Sequence, residues 1–212
     1  DLTPVRNRRA GRNTREAILA AAEELLQRRG YNAFSYHHIA VQLGIRNAAI
    51  HYHFPSKESL GIELVSRFRT QFLLWIKELE ARESDPWELL NAYFEFYLDY
   101  LEEGGRKICF SGMLGAEYGA IPDGMREETR QTMEQIFLWL ISVLERGLED
   151  GSIQFDGSAE HKAIQIGASL QGGLQVARVA GPDRFRQLIA QHRLELSPEG
   201  ASYAATADGA TG

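Results

Sequence analysis

Cysteine is nearly missing from this chain. Cys109 stands alone, which excludes an internal disulfide and any cysteine-built zinc cluster. Long apolar runs are missing too: no stretch approaches the roughly 18 consecutive apolar residues of a membrane span, and the first residues lack the apolar centre of a secretory signal. A cytoplasmic location without a membrane partner is therefore expected. The common catalytic signatures are also lacking, with no G-x-S-x-G, no Walker loop, no G-x-G-x-x-G after a strand, and no strand pattern to carry one. Glu117 and Asp123 are carboxylates without an evident catalytic partner, so no catalytic residue and no cofactor are expected. What the chain does have is ordinary for a folded protein: 212 residues, 44% of them apolar, enough for one small and one medium domain.

The net charge of −6 would normally argue against nucleic acid, but it conceals a division along the chain. Residues 1–57 hold nine Lys/Arg (Arg6, Arg8, Arg9, Arg12, Arg15, Arg28, Arg29, Arg46, Lys57) against four acidic residues, a net +5, so the remainder carries −11. Such an asymmetry draws the head toward phosphates and repels the body from them. Taken alone, a basic head reads equally well as a solvated face with a tail.

The decisive stretch is Ser35 to Leu60, SYHHIAVQLGIRNAAIHYHFPSKESL. Ile39 and the small Ala40 let a second helix cross closely. Gly44, between Leu43 and Ile45, permits positive φ, so one helix can give way to the next within about three or four residues. Asn47, Ala49, His51, Tyr52 and His53 then make a short polar and aromatic helix, anchored inward by Ile50 and Phe54, four residues apart. Pro55 stops it. Ser56 caps the following helix, where Leu60, Leu64, Phe68, Phe72 and Trp75 keep a helical period. Upstream, Asn13 and Glu16 form a capping box, with Thr14 an alternative cap, and Ile18, Ala21, Ala22, Leu25 and Leu26 make one buried stripe up to Gly30. His37, His38, His51 and His53 form no i, i+4 pair and have no Cys or acidic companion in the motif, so they read as surface histidines and no metal is expected.

This pattern resembles the TetR family of bacterial transcriptional regulators, through Tyr52-His53-Phe54-Pro55-Ser56-Lys57-Glu58 and the helices before it, roughly residues 13 to 65. The resemblance implies an all-α homodimer, with an N-terminal three-helix helix-turn-helix domain followed by a larger helical effector-binding and dimerisation domain. Its expected partners are a double-stranded DNA operator and a small-molecule effector. Arg46 departs from the family pattern, standing where a small N-capping serine is common; either Asn47 caps the recognition helix or the helix starts a residue later. Arg46, Asn47, Ala49 and His51 lie near the start of that helix, where side chains reach base edges. Ser35, Tyr52 and Lys57 match family positions that hold phosphates, which fix register without reading sequence.

The larger domain opens with Asp85, Pro86 and Glu88, a strong helix start. Tyr93, Phe96, Tyr97 and Tyr100 then share one arc of that helix beside Leu90, Phe94, Leu98 and Leu101. A packed aromatic core and a polar-lined effector cavity both fit such a surface. Small residues Ser111, Gly112, Gly115 and Ala116 leave space nearby, so the expected cavity residues are Tyr93, Phe96, Tyr97, Tyr100, Cys109, Met113, Glu117, Tyr118 and Trp139. Cys109 follows Arg106 and Lys107, which would favour a reactive thiolate, while a buried, inert cysteine is the plainer reading. Two long helices are predicted at about 125–149 and 159–179 and a third at about 182–196. Phe137 to Ile141 is apolar in five consecutive positions, so one face there needs a further cover. Ala163, Gly167, Leu170, Leu174 and Ala177, with Gly172 and Gly173, resemble the family's dimer-forming helix; an intrachain core is the alternative.

The sequence thus divides into a basic arm (1–12), a helix-turn-helix domain (13–57), an effector and dimerisation domain (58–196) and a flexible tail (197–212). The expected function is repression relieved by a small apolar or aromatic effector. A ligand-dependent activator of the same architecture is one alternative, and an all-α ligand-binding protein or enzyme without DNA recognition is another.

Overall fold

A computed structural model describes residues 4–102 and 108–198; the segment 103–107, with Arg106 and Lys107, and the predicted tail beyond Pro198 lie outside the described residues. Among the described residues the chain is all helical: α1 (Pro4–Arg29), α2 (Tyr36–Leu43), α3 (Asn47–His53), α4 (Lys57–Arg82), α5 (Pro86–Glu102), α6 (Phe110–Ala116), a 3-10 turn (Tyr118–Ala120), α7 (Asp123–Asp150), α8 (Ala159–Ala180) and α9 (Asp183–Leu196). The helix expected to start near Asn13 begins at Pro4 instead, so most of the predicted basic arm has helical backbone. No helix among the described residues is long and apolar enough to cross a membrane.

The described residues fold as two compact units, the first comprising residues 4–71 and 110–132, the second residues 72–102, 108–109 and 133–198. In the first, Ile18, Leu19, Ala22 and Leu26 of α1 are buried with Ile39 and Ala40 of α2, Ile50 of α3, Phe54, and Leu60, Leu64 and Val65 of α4. Three residues separate α2 from α3. Gly44 makes that bend possible at φ +65°, and the Ile45 N–H returns to the Ala40 carbonyl at 3.0 Å, the closure that a left-handed glycine gives a helix end. Ser56 starts α4 as expected: its Oγ accepts the Ser59 N–H at 3.0 Å while Ser59 Oγ accepts the Ser56 N–H at 3.2 Å, a reciprocal cap.

The second unit packs α5, α8 and α9 with the C-terminal parts of α4 and α7. Asp85 caps α5 by accepting the Trp87 N–H at 2.9 Å, and Ser158 caps α8 by accepting the His161 N–H at 3.3 Å. Ala163, Gly167, Leu170, Leu174 and Ala177 of α8 are buried within the chain. The reason is steric: a Cβ at Gly173 would fall 2.6 Å from Leu188 and 2.8 Å from Phe185, and one at Gly167 would fall 2.9 Å from Phe137. The stripe assigned to a dimer seam is therefore spent on packing within the chain, as its alternative reading held. The outward side of the same helix carries Ile164, Val176 and Val179, the last 90% exposed, while α7 exposes Leu138 and Leu148.

Candidate nucleic-acid interface

The first unit presents α3 on a buried frame. Ile50 and Phe54 anchor the helix inward, and the buried hydroxyl of Tyr36, at the start of α2, donates to the Phe54 carbonyl at 2.8 Å. Burial pushes the Tyr36 phenol up to about 12, so it stays a donor at any physiological pH. That bond ties the entrance of α2 to the exit of α3. Tyr36 was not among the expected functional residues, and its apolar ring in an apolar pattern gave no signal that its hydroxyl had a task.

Arg46 occupies the cap position of α3 in extended backbone, without a side-chain capping bond, and Asn47 is the first helical residue. Neither alternative for the cap is realised, and both side chains are left free of capping duty. Arg46, Asn47, His51 and Tyr52 are exposed, Ala49 is half-exposed, and Tyr52 reaches 84% exposure. The His51 ring lies 4.7 Å from that of Tyr36, and Tyr52 meets His53 edge-on at 5.1 Å, so two aromatic neighbours limit the rotamers of the outer face. Ser35 caps α2 from an exposed position; its N–H donates to His38 Nδ1 at 3.0 Å and its Oγ lies 3.1 Å from the same nitrogen. Lys57 is placed differently from these residues. It is half-buried, with Nζ donating to the Tyr31 carbonyl at 2.6 Å and lying 4.3 Å and 4.7 Å from the Tyr31 and Phe34 ring centroids. Desolvation lowers its pKa, and the charge of Glu117 partly offsets that.

Of the residues expected to line a cavity, the second unit gathers Tyr93, Phe96, Tyr97, Tyr100, Cys109 and Trp139. Tyr93 lies 5.2 Å from Tyr97 and 5.5 Å from Trp139, and Phe96 lies 5.9 Å from both Tyr97 and Tyr100. Two rings of α4 join them: Phe72 is 5.6 Å from Phe96, and Trp75 is 5.2 Å from Phe96 and 5.9 Å from Trp139. These two were expected only as periodic packing residues, since spacing along one helix says nothing of which helix faces it. Polar atoms are threaded through the rings. The Tyr93 and Tyr97 hydroxyls are 3.4 Å apart, Cys109 Sγ is 3.9 Å from the Tyr97 hydroxyl, and Trp139 Nε1 donates to Glu80 at 3.2 Å. Burial raises the pKa of both tyrosines, so both remain neutral donors. Cys109 itself is 1% exposed. Met113, Glu117 and Tyr118 belong to the first unit, where the Glu117 carboxylate binds the turn after α1.

Residues 18–64 match the family model for bacterial regulatory proteins of the TetR family, and residues 86–193 match the tetracyclin repressor-like C-terminal domain. The chain belongs to the TetR family. Its relatives include the HTH-type transcriptional repressor NemR of Escherichia coli, 24% identical over 78% of this chain and 86% of that protein. Another is the repressor DhaR of a Mycobacterium species, 25% identical over 76% and 80%. Among solved structures, a TetR-family regulator from Agrobacterium tumefaciens superposes with a TM-score of 0.84 at 34% identity, covering 88% of this chain and 99% of its own. A putative regulator from Saccharomonospora viridis, solved in complex with choline, gives a TM-score of 0.69 at 26% identity, covering 84% and 94%. TetR-family members are transcriptional regulators, not enzymes, and the two matched regions give this chain both halves of that architecture, the DNA-binding head and the C-terminal domain.

Proposed function

We propose that this TetR-family chain is a dimeric repressor that binds a palindromic operator and is released by a small apolar or aromatic effector. The observation that carries the reading is the outer face of α3, where Asn47, His51 and Tyr52, with Arg46 at the cap, stand exposed on a helix held inward by buried Ile50 and Phe54. In this reading Arg46, Asn47, Ala49 and His51 meet base edges, while Tyr52 and Ser35 meet phosphates. Lys57 holds the Tyr31 carbonyl with one of its three N–H donors, and in this reading the others meet a phosphate.

Dimerisation supplies the second half-site. The exposed Ile164, Val176 and Val179 of α8 and Leu138 and Leu148 of α7 support pairing through these two helices, because such side chains gain by leaving water. Two copies of α3 would then be set about 34–36 Å apart, or a multiple, to match a two-fold operator. The effector is assigned to the ring cluster of Tyr93, Phe96, Tyr97, Tyr100 and Trp139 with Cys109, where apolar faces and a few hydroxyls suit an aromatic ligand. Release follows from higher effector affinity for the conformation that reads DNA poorly. The choline-bound relative and the number of ring faces favour one second reading, a quaternary ammonium effector held by cation–π attraction.

The test is selection of random duplex DNA on the purified protein at near-physiological salt, read by sequencing. An enriched palindrome is expected, and its loss on adding aromatic compounds or choline would separate the two effector classes. A folded, dimeric protein that enriches no sequence would count against the proposal.

A further inference from the structure

Between α1 and α2 the chain turns through Gly30, Tyr31 and Asn32, and the carboxylate of Glu117 is seated on that turn. Oε2 accepts the Tyr31 N–H at 2.5 Å; Oε1 accepts the Asn32 N–H at 3.2 Å and the Asn32 side-chain amide at 3.3 Å. The same amide donates to the Ala120 carbonyl at 3.3 Å. Gly30 has φ +89°, and a Cβ there would fall 2.8 to 2.9 Å from all three carboxylate atoms, so the missing side chain is what admits the anion. Successive N–H groups behind a left-handed residue form an anion cradle; here the protein's own carboxylate fills it. Glu117 is also fixed at its root, because its carbonyl accepts the Ala120 and Ile121 N–H groups at 2.7 and 3.1 Å.

Tyr31 is thereby gripped at both ends. Its N–H is held by the Glu117 anion and its carbonyl by the Lys57 cation at 2.6 Å. The gripped turn leads into Ser35 at the start of α2, and Lys57 opens α4; these are the helices on either side of α3. Glu117 itself comes from the region matched by the family's C-terminal model, yet it folds with the reading head.

We propose that Glu117 is a positioning residue for operator reading. It sets the turn ahead of α2 and the start of α4, and so fixes the register of α3 without touching DNA. The inference rests on α3 being the reading helix. Phosphate attraction is long-ranged and tolerates small displacements, whereas base contacts do not. Losing the grip therefore costs specific binding more than non-specific binding.

The experiment compares the full-length wild type with Glu117→Ala and Glu117→Gln on two duplexes of equal length, one enriched by the wild type and one unrelated, with amide hydrogen exchange measured in parallel. For Glu117→Ala the expected result is about a tenfold loss on the enriched duplex and at most about twofold on the unrelated one, the scale of charge-assisted hydrogen bonds left unmade. The Tyr31 and Asn32 amides should exchange faster while α8 and α9 keep their protection. Glu117→Gln keeps an acceptor oxygen but turns an N–H₂ toward a donor, and should fall between. Gly30→Ala, whose Cβ occupies the cradle, should reproduce the defect, and Gly30→Ala with Glu117→Ala should be no worse than Gly30→Ala alone. An unchanged ratio between the two duplexes, or an equal loss on both, would overturn the proposal. Should Glu117→Ala lose protection throughout, Glu117→Gln decides by the same ratio. Failure of the wild type to enrich any duplex would count against the operator reading itself; unaltered exchange at Tyr31 and Asn32 in Glu117→Ala would then overturn the Glu117 assignment separately.

Discussion

Arg46 and Asn47 stand where a helix cap would ordinarily be spent, and neither makes a capping bond. That leaves two long polar side chains free at the entrance of α3, at a modest cost in helix stability. Asn47→Ala should lower operator affinity by about 1–3 kcal/mol and relax preference at one base position, measured by repeating the selection with the variant; a loss spread evenly over all sequences would move Asn47 to the phosphate class. Tyr52→Phe should instead weaken every duplex alike while leaving the salt dependence unchanged, because a neutral hydroxyl on a phosphate releases no counterion; titrations at several salt concentrations check both, and a loss confined to particular sequences would move Tyr52 to the base-reading class. A different residue-scale effect is set by His192. Its Nε2 lies 2.6 Å from Ser169 Oγ and its ring stacks on Phe94 at 5.8 Å. Burial lowers its pKa below the ordinary 6.5, Lys162 adds to that, and Glu195 opposes it. The unfolded chain therefore takes the proton more readily, so this contribution to stability is fully present above pH 6.5 and is lost as pH falls below it. His192→Gln should flatten the acid limb of a denaturation profile between about pH 5 and 7; an unchanged limb would exclude His192 as its source.

At the scale of elements, α8 shows how one helix serves two surfaces. Its inward stripe of small residues lets α9 and the side chain of Phe137 approach closely, and its outward stripe is apolar and exposed. Adjacent glycines fall on opposite sides of that division. Gly173→Ala should destabilise by about 1–3 kcal/mol through overpacking against Leu188 and Phe185. Gly172→Ala, with nothing within 4 Å of its Cβ position, should be neutral or stabilising by up to about 1 kcal/mol. Chemical denaturation of the two variants checks the contrast, and equal effects would mean that α9 does not pack on α8 as described. The local signals for these elements were legible in the sequence. Asp85-Pro86 and Ser56 start helices where expected, and Gly44 ends one, because caps and left-handed glycines act within a few residues of chain. What spacing could not tell was which side of α8 would face its own chain, since the period of a stripe is the same whether its partner is α9 or a second copy.

Assembly is a property of the whole molecule. Ile164→Asp with Val176→Asp, which sets like charges on both sides of a two-fold interface, should turn the proposed dimer into a monomer in sedimentation experiments and lower operator affinity by at least about a hundredfold, since one half-site then binds alone. A dimer that survives both changes would place the interface elsewhere. Charge acts at the same scale: the basic head and acidic body should orient the approach to DNA, so association should slow steeply with salt, as stopped-flow binding at several salt concentrations would check.

Helical class, the helix-turn-helix and the division of charge follow from the sequence alone, because periodicity, capping and net charge are properties of neighbouring residues or of simple counts. Tertiary structure decided the rest. It sent Lys57 inward to the Tyr31 carbonyl, brought Phe72 and Trp75 of α4 to the rings of α5 and α7, buried the small stripe of α8 in its own chain, and set Glu117 on a turn 85 residues away in the chain. Each depends on which distant backbone groups a side chain meets, and spacing along the chain does not encode those meetings.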